Sequence, residues 1–161
     1  MAADERVRGR LKADDFRKAV VMAAIASIGL ASILKWEAGG WLIIMFGLGY
    51  LAAGLIHFVV HRHAAERLNT TYWALGLCIV SDLFLVIASL LQLDIGDNQY
   101  PWLTITALLN GGPGDNAAAP SWWPQSALAD VFVAANIAVF VPVTASWAAL
   151  LLASRRRKVL Q

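Results

Sequence analysis

All three histidines of the chain stand in one stretch, "GLIHFVVHRH", at positions 57, 61 and 63. His57 and His61 are one helical turn apart, so on a helix they share a face, and such a pair can chelate a metal ion. In helices that hold zinc for peptide hydrolysis a glutamate directly follows the first histidine. Here that residue is Phe58, no third ligand stands nearby, and no metal is expected. His57 is also a candidate axial ligand for haem. A bis-histidine haem takes its ligands from facing helices, so the second would come from another protomer, or Met22 or Met45 would serve instead. The alternative without chemistry is anchoring, in which His57 lies near the cytoplasmic end of a span and His61 and His63 sit among the headgroups beside Arg62.

The string "AGLIH", Ala53 to His57, resembles the Ala-x-x-x-His pattern of bacterial antenna polypeptides. That resemblance implies a (bacterio)chlorophyll ligated by His57, with the alanine leaving room for the ring. Antenna chains have a single span, and this chain has several apolar runs. Haem or (bacterio)chlorophyll at His57 is the one cofactor reading that the residues offer, and no cofactor is otherwise expected.

A second candidate is Asp82, in the middle of "LCIVSDLFLV". A carboxylate in a membrane span costs about 3 kcal/mol on the gentler insertion scale, so it should face protein and have a partner. Asn136, in "AANIAVFVP", falls at a similar expected depth, and the expected local structure is an Asp82–Asn136 pair assisted by Ser81. Pro142, further along the same run, removes the hydrogen bond to the Ala138 carbonyl and should kink the helix. These polar residues would line an ion or proton path, or clamp two helices together.

"WWPQSALADVFVAAN", Trp122 to Asn136, is similar to the fourth span of lipoprotein signal peptidases, which implies a membrane aspartic peptidase with Asp130 as one catalytic carboxylate. Pro124 and Asp130 match that family's spacing. The family's Asn before the Ala-Asp pair is Ala127 here, and its segment after the first span is missing. An aspartic peptidase needs two carboxylates sharing a proton, and no second aspartate stands at the expected distance upstream. The chain is therefore expected not to be an enzyme.

The elements that must position these residues follow from composition. Of 161 residues, 59 % are hydrophobic and 15 % charged, which is more apolar than soluble domains. Charges are nearly absent from Ala19 to Leu34, Gly39 to Val60, Tyr72 to Leu93 and Ala127 to Ala153. Runs of this length suit a hydrocarbon core, and without strand-like alternation they satisfy their backbones only as helices. The expected fold is all-α: four transmembrane helices (residues 19–153), a charged leader helix (1–18), an outer loop (94–125) and a basic tail (154–161). Two lines of small residues should pack the first two spans together: Ala19, Ala23, Ser27 and Ala31 on one, and Gly40, Gly47 and Gly54 leading into His61 on the other. The only cysteine, Cys78, excludes an intrachain disulfide and is expected to be a core filler.

Basic residues crowd the leader, the link carrying Arg62 and Arg67, and the "SRRRK" tail, whereas the outer loop carries Asp94, Asp97 and Asp115. By the positive-inside rule both termini are cytoplasmic, with Trp36, Trp41, Tyr100, Trp102, Trp122 and Trp123 in the outer interfacial belt, and Tyr72, Trp73 and Trp147 nearer the inner face. The apolar "WLTITALL" is too short to span and should lie in the interface or over the bundle mouth. The basic residues suit anionic lipid rather than nucleic acid.

The functional expectation is a small non-catalytic multi-pass subunit of a bacterial inner membrane. It would pack against lipids, other integral membrane proteins or copies of itself, in a larger bioenergetic complex. The alternatives are a homo-oligomeric channel or transport component using Asp82 and Asn136, and a pigment or haem protein using His57. For topology, a fluorescent reporter fused after Gln161 should mature, and a periplasm-dependent phosphatase fused at the same point should stay inactive; the opposite pair of results would invert the assigned orientation.

Overall fold

The computed structural model describes residues 13–37, 47–68, 72–95, 101–109 and 128–155. Four long helices dominate: α1 (Ala13–Glu37), α2 (Gly47–Arg67), α3 (Tyr72–Leu91) and, at the far end of the chain, α5 (Leu128–Arg155). Between α3 and α5 lie two three-residue strands, β1 (Leu93–Ile95) and β2 (Pro101–Leu103), and the short helix α4 (Thr104–Leu109). Asp14 and Asp15 in the first turn of α1 and Lys35 in its last complement the helix dipole. α1 runs unbroken across residue 18, where the leader was expected to end; residues 1–12 and 156–161 lie outside the described residues.

Among the described residues, three helices are long and apolar enough to cross a membrane: α1, α3 and the Ala134–Arg155 part of α5. The described part of α2 is not among them, because it ends in the polar "HRHAAER" and the apolar residues expected before Gly47 lie outside the described residues. The outer faces are greasy, with Trp73 86 %, Leu51 71 % and Met22 63 % exposed, as helices in contact with lipid are. These are the marks of a membrane protein.

α1 packs against α2 and α3, and α5 packs against the same two helices, so the bundle closes as a ring. α2 and α3, consecutive in the chain, therefore face each other across its middle. Two apolar clusters fill the interior. Phe16, Val20, Val60, Cys78 and Leu150 pack the end nearer Arg155, and Ala31, Leu85, Ala88 and Val143 the end nearer Lys35. Trp147 packs against both. Cys78 fills core as expected.

The buried line of α1 corrects the expected one. Residues Phe16, Val20, Ala24, Ser27, Ala31 and Lys35 face inward, while Ala19 is exposed and Ala23 half-buried. Steps of four residues overshoot the 3.6-residue turn and wind around the helix. The real contact line mixes fours with a three, so only Ser27 and Ala31 of the expected set belong to it. On α2, Gly54 does meet α1: a Cβ there would lie 3.3 Å from Ile28 Cγ2. Gly40 lies outside the described residues. Gly47 opens α2.

The expected outer loop contains more structure than an irregular connection. β1 and β2 pair antiparallel, Leu93 opposite Leu103, and lead into α4, whose Thr104 and Ala107 are fully buried against the bundle. The Thr104 backbone N–H and Oγ1 both donate to the Gln92 carbonyl, at 3.1 and 3.2 Å. Lys35 Nζ donates to Thr104 Oγ1 at 2.9 Å. The helix thus folds over the mouth of the bundle, held by a lysine that is only 1 % exposed.

The Gly54 contact is testable. Gly54→Leu should destabilise the detergent-solubilised bundle by about 1–3 kcal/mol through overpacking against Ile28. Gly49→Leu, whose Cβ meets nothing within 4 Å, should change stability by no more than about 0.5 kcal/mol. Equal effects in a denaturant titration would show that Gly54 is not a close contact.

Candidate functional site

Each of the four long helices sends one polar side chain to a single level in the bundle: Ser27 from α1, His57 from α2, Asp82 from α3 and Trp147 from α5. His57 Nε2 lies 2.8 Å from Asp82 Oδ1. Ser27 Oγ is 3.0 Å from the same oxygen. Trp147 Nε1 lies 2.9 Å from His57 Nδ1. One turn further along α2, His61 stacks on His57 with ring centroids 4.1 Å apart, and its Nε2 reaches Asp82 Oδ1 at 3.4 Å. Both histidines are fully buried and Asp82 is 7 % exposed.

Proton positions follow from donor chemistry. An indole nitrogen can only donate, so His57 Nδ1 accepts from Trp147 and the ring proton sits on Nε2, which donates to Asp82. His61 is different. Its Nδ1 faces the His57 carbonyl at 3.0 Å, and its Nε2 faces the Cys78 carbonyl at 3.2 Å as well as the carboxylate. Both ring nitrogens meet acceptors, so the ring has a place for two protons. Asp82 is lopsided: Oδ1 gathers His57, Ser27 and His61, while the buried Oδ2 has no hydrogen-bond partner among the described residues. A proton added to Oδ2 would neutralise the carboxylate and leave every hydrogen bond to Oδ1 in place.

Cavities lie on either side of this level, and none of the five central side chains lines them. One of about 740 Å³ is lined by Ala31, Lys35, Gly54 and Leu85 and by the outward-facing Ile33 and Leu51, so it opens on the outer side of α1 and α2. The other, about 600 Å³, is lined by Val59, Val60, His63, Arg67, Leu151 and Arg155. Gly54 and Leu85 are about one turn from His57 and Asp82 on one side, and Val60 and Leu151 about one turn from His57 and Trp147 on the other. Polar groups continue toward the Lys35 end, where Ser89, Gln92 and Thr104 are buried.

Several expectations change here. Asp82 does not pair with Asn136. Ser81 bonds Ser146 at 2.8 Å, which fixes the level of α5 beside Asp82, and Asn136 is ten residues further along α5, about 15 Å away. Asn136 is half-buried in its own surroundings. His61 is in the core rather than among headgroups, and only His63 is partly exposed. Trp147 is a core hydrogen-bond donor, not a belt residue. Pro142 lies inside α5, as the expected kink requires, and is exposed. Pro124 lies outside the described residues, and no description covers the side chain of Asp130. A third group does come within reach of the histidine pair: one ligand atom each from His57, His61 and Asp82 lie within 4.8 Å of one another.

Ser27 and Trp147 were legible only as a small packing residue and an interfacial aromatic. Their signal was present in the helical depth of each residue, since Ser27, His57, Asp82 and Trp147 are each interior to an apolar run. Comparison of the chain with protein-family models, with curated proteins and with solved structures finds no match.

The pair should behave as a coupled unit. His57→Leu leaves a buried carboxylate without its nearest donor and should cost about 3–5 kcal/mol, as for other broken buried pairs. The double variant His57→Leu/Asp82→Leu removes the stranded charge and should be more stable than His57→Leu alone. A double variant less stable than that single one in detergent unfolding would contradict a charge-bearing core pair.

Proposed function

We propose that the protein is a transport component of a bacterial inner membrane, a four-span bundle with both termini cytoplasmic, which takes up and releases a proton at the Asp82–His57–His61 centre. The observation that carries this reading is the centre itself: a buried carboxylate with one crowded oxygen and one that has no hydrogen-bond partner among the described residues. A bundle that only fills space in a larger assembly gains nothing from it, because apolar residues of similar volume hold helices together as well or better. Ionisable groups inside a membrane ordinarily mark ion or proton routes.

In this reading a proton arrives from one side of the membrane, binds Asp82 Oδ2 or His61 Nε2, and leaves to the other side. Ser27 and His57 keep Oδ1 in position throughout. Lys35, buried under α4, places a positive charge at one end of the route. Arg67 and Arg155 do so at the other, which supports an anionic lipid surface there. A subunit of a larger bioenergetic complex remains a natural setting for such a bundle, since exposed apolar faces accept lipid and partner helices alike. Haem or (bacterio)chlorophyll ligation by His57 is less well supported, because both ring nitrogens already hold hydrogen bonds.

The test is proton flux into liposomes carrying the purified protein, driven by a potassium diffusion potential. Asp82→Asn keeps the shape of the side chain and should assemble normally, while flux falls to that of protein-free liposomes. Asn136→Ala should leave flux unchanged. Wild-type flux indistinguishable from protein-free liposomes would refute the reading.

A further inference from the structure

We infer that the Trp147 indole N–H determines what the central cluster can bind: by holding His57 as an Nε2–H donor it reserves the centre for protons and closes it to divalent transition metals. The inference rests on the proton-handling reading and names what that centre excludes. His57, His61 and Asp82 otherwise have the makings of a metal site, with a histidine pair one turn apart on one helix, a carboxylate facing them, and ligand atoms within 4.8 Å of one another.

The polarity of the surrounding hydrogen bonds decides the matter. A histidine that ligates a metal through one nitrogen almost always donates its other N–H to a carboxylate, a carbonyl or water. His61 fits that pattern, since its Nδ1 faces the His57 carbonyl at 3.0 Å. His57 has the reverse arrangement. Its remote nitrogen, Nδ1, faces a donor at 2.9 Å, the Trp147 indole. For Nε2 to offer its lone pair to a metal, the ring proton would have to move to Nδ1, where it would point at the indole hydrogen, or leave the ring altogether. His57 is fully buried and its ring lies edge-on to the indole, at 61° with centroids 5.9 Å apart. Two donors would then oppose each other at a fully buried imidazole, and burial makes an unsatisfied donor costly.

The same bond explains why the nearest contact of Asp82 is a donor rather than a second acceptor. With His57 as an Nε2–H donor, Asp82 Oδ1 is hydrogen-bonded in both protonation states of the carboxyl. Trp147 is thus a positioning residue, acting on the centre through His57.

Two measurements on the full chain in detergent test this. In ¹⁵N NMR of histidine-labelled wild-type protein, His57 should carry its proton on Nε2, with Nδ1 unprotonated; a proton on Nδ1 would overturn the inference. In optical titration with Co²⁺, the wild type should bind about 10–100-fold more weakly than Trp147→Phe, the range by which outer-shell partners change metal affinity. Trp147→Gln, which supplies a carbonyl acceptor, should also bind more tightly than the wild type. Adding Asp82→Asn to Trp147→Phe should abolish the gain, which separates this centre from adventitious binding at His63. Wild-type affinity equal to that of both Trp147 variants would overturn the inference, and the NMR result decides it even if neither variant folds. Absence of proton flux would count against the transport reading alone, since neither measurement depends on flux.

Discussion

The hydrogen bond between His57 and Asp82 spans the middle of the bundle, joining two helices that are consecutive in the chain but not side by side in space. Burying these two side chains is costly, and the surroundings are arranged around that cost. α1 brings Ser27 to the carboxylate, and α5 brings Trp147 to the imidazole. Small or apolar residues then close the space on either side, Ala24 and Cys78 toward one end and Ala31 and Leu85 toward the other. In lipid, where apolar side chains gain little by leaving their solvent, interhelical polar contacts and close packing are what remain to hold helices in register.

Such contacts average only about 0.6 kcal/mol each in membrane proteins, so the cluster is not retained for stability. Its worth lies in uniqueness. A bundle of four apolar helices has many rotational settings of similar energy, and only one of them brings His57, Asp82, Ser27 and Trp147 to the same point. A stripe of leucines in their place would tolerate slippage. The polar centre therefore specifies the fold and at the same time creates the only ionisable group in the structure's middle layer with an unpartnered oxygen among the described residues.

Much of this architecture was legible in the sequence. Long uncharged runs without alternation announced helices in a membrane, Gly54 announced a close helix contact, and an aspartate inside an apolar run announced a buried polar partner. The partner itself was not legible. Asn136 and Asp82 were matched by assumed depth alone, and depth counted from uncertain span ends carries errors of several residues, which on a helix rotates a side chain to a different face. The histidines misled for a related reason. "HFVVHRH" next to arginines has the composition of a helix leaving a membrane, yet His57 and His61 lie on the inward face while Arg62 and Val59 lie outward. The Ala19, Ala23, Ser27, Ala31 line failed through simple geometry, because steps of four drift off a 3.6-residue turn. Trp147 could not be recognised at all from composition, since interfacial and core tryptophans look alike in a sequence.

The contribution of α5 has a consequence for biosynthesis. A ribosome releases the helices in order, and His57 can reach Asp82 and Ser27 as soon as α1, α2 and α3 have come together. The His57 Nδ1 atom and the Ser81 hydroxyl then still lack the partners that Trp147 and Ser146 bring on the last helix. The unfinished bundle thus presents a short row of unsatisfied polar atoms along the groove where the final helix belongs. That row acts as a docking mark written in hydrogen bonds, setting which face α5 turns toward the groove.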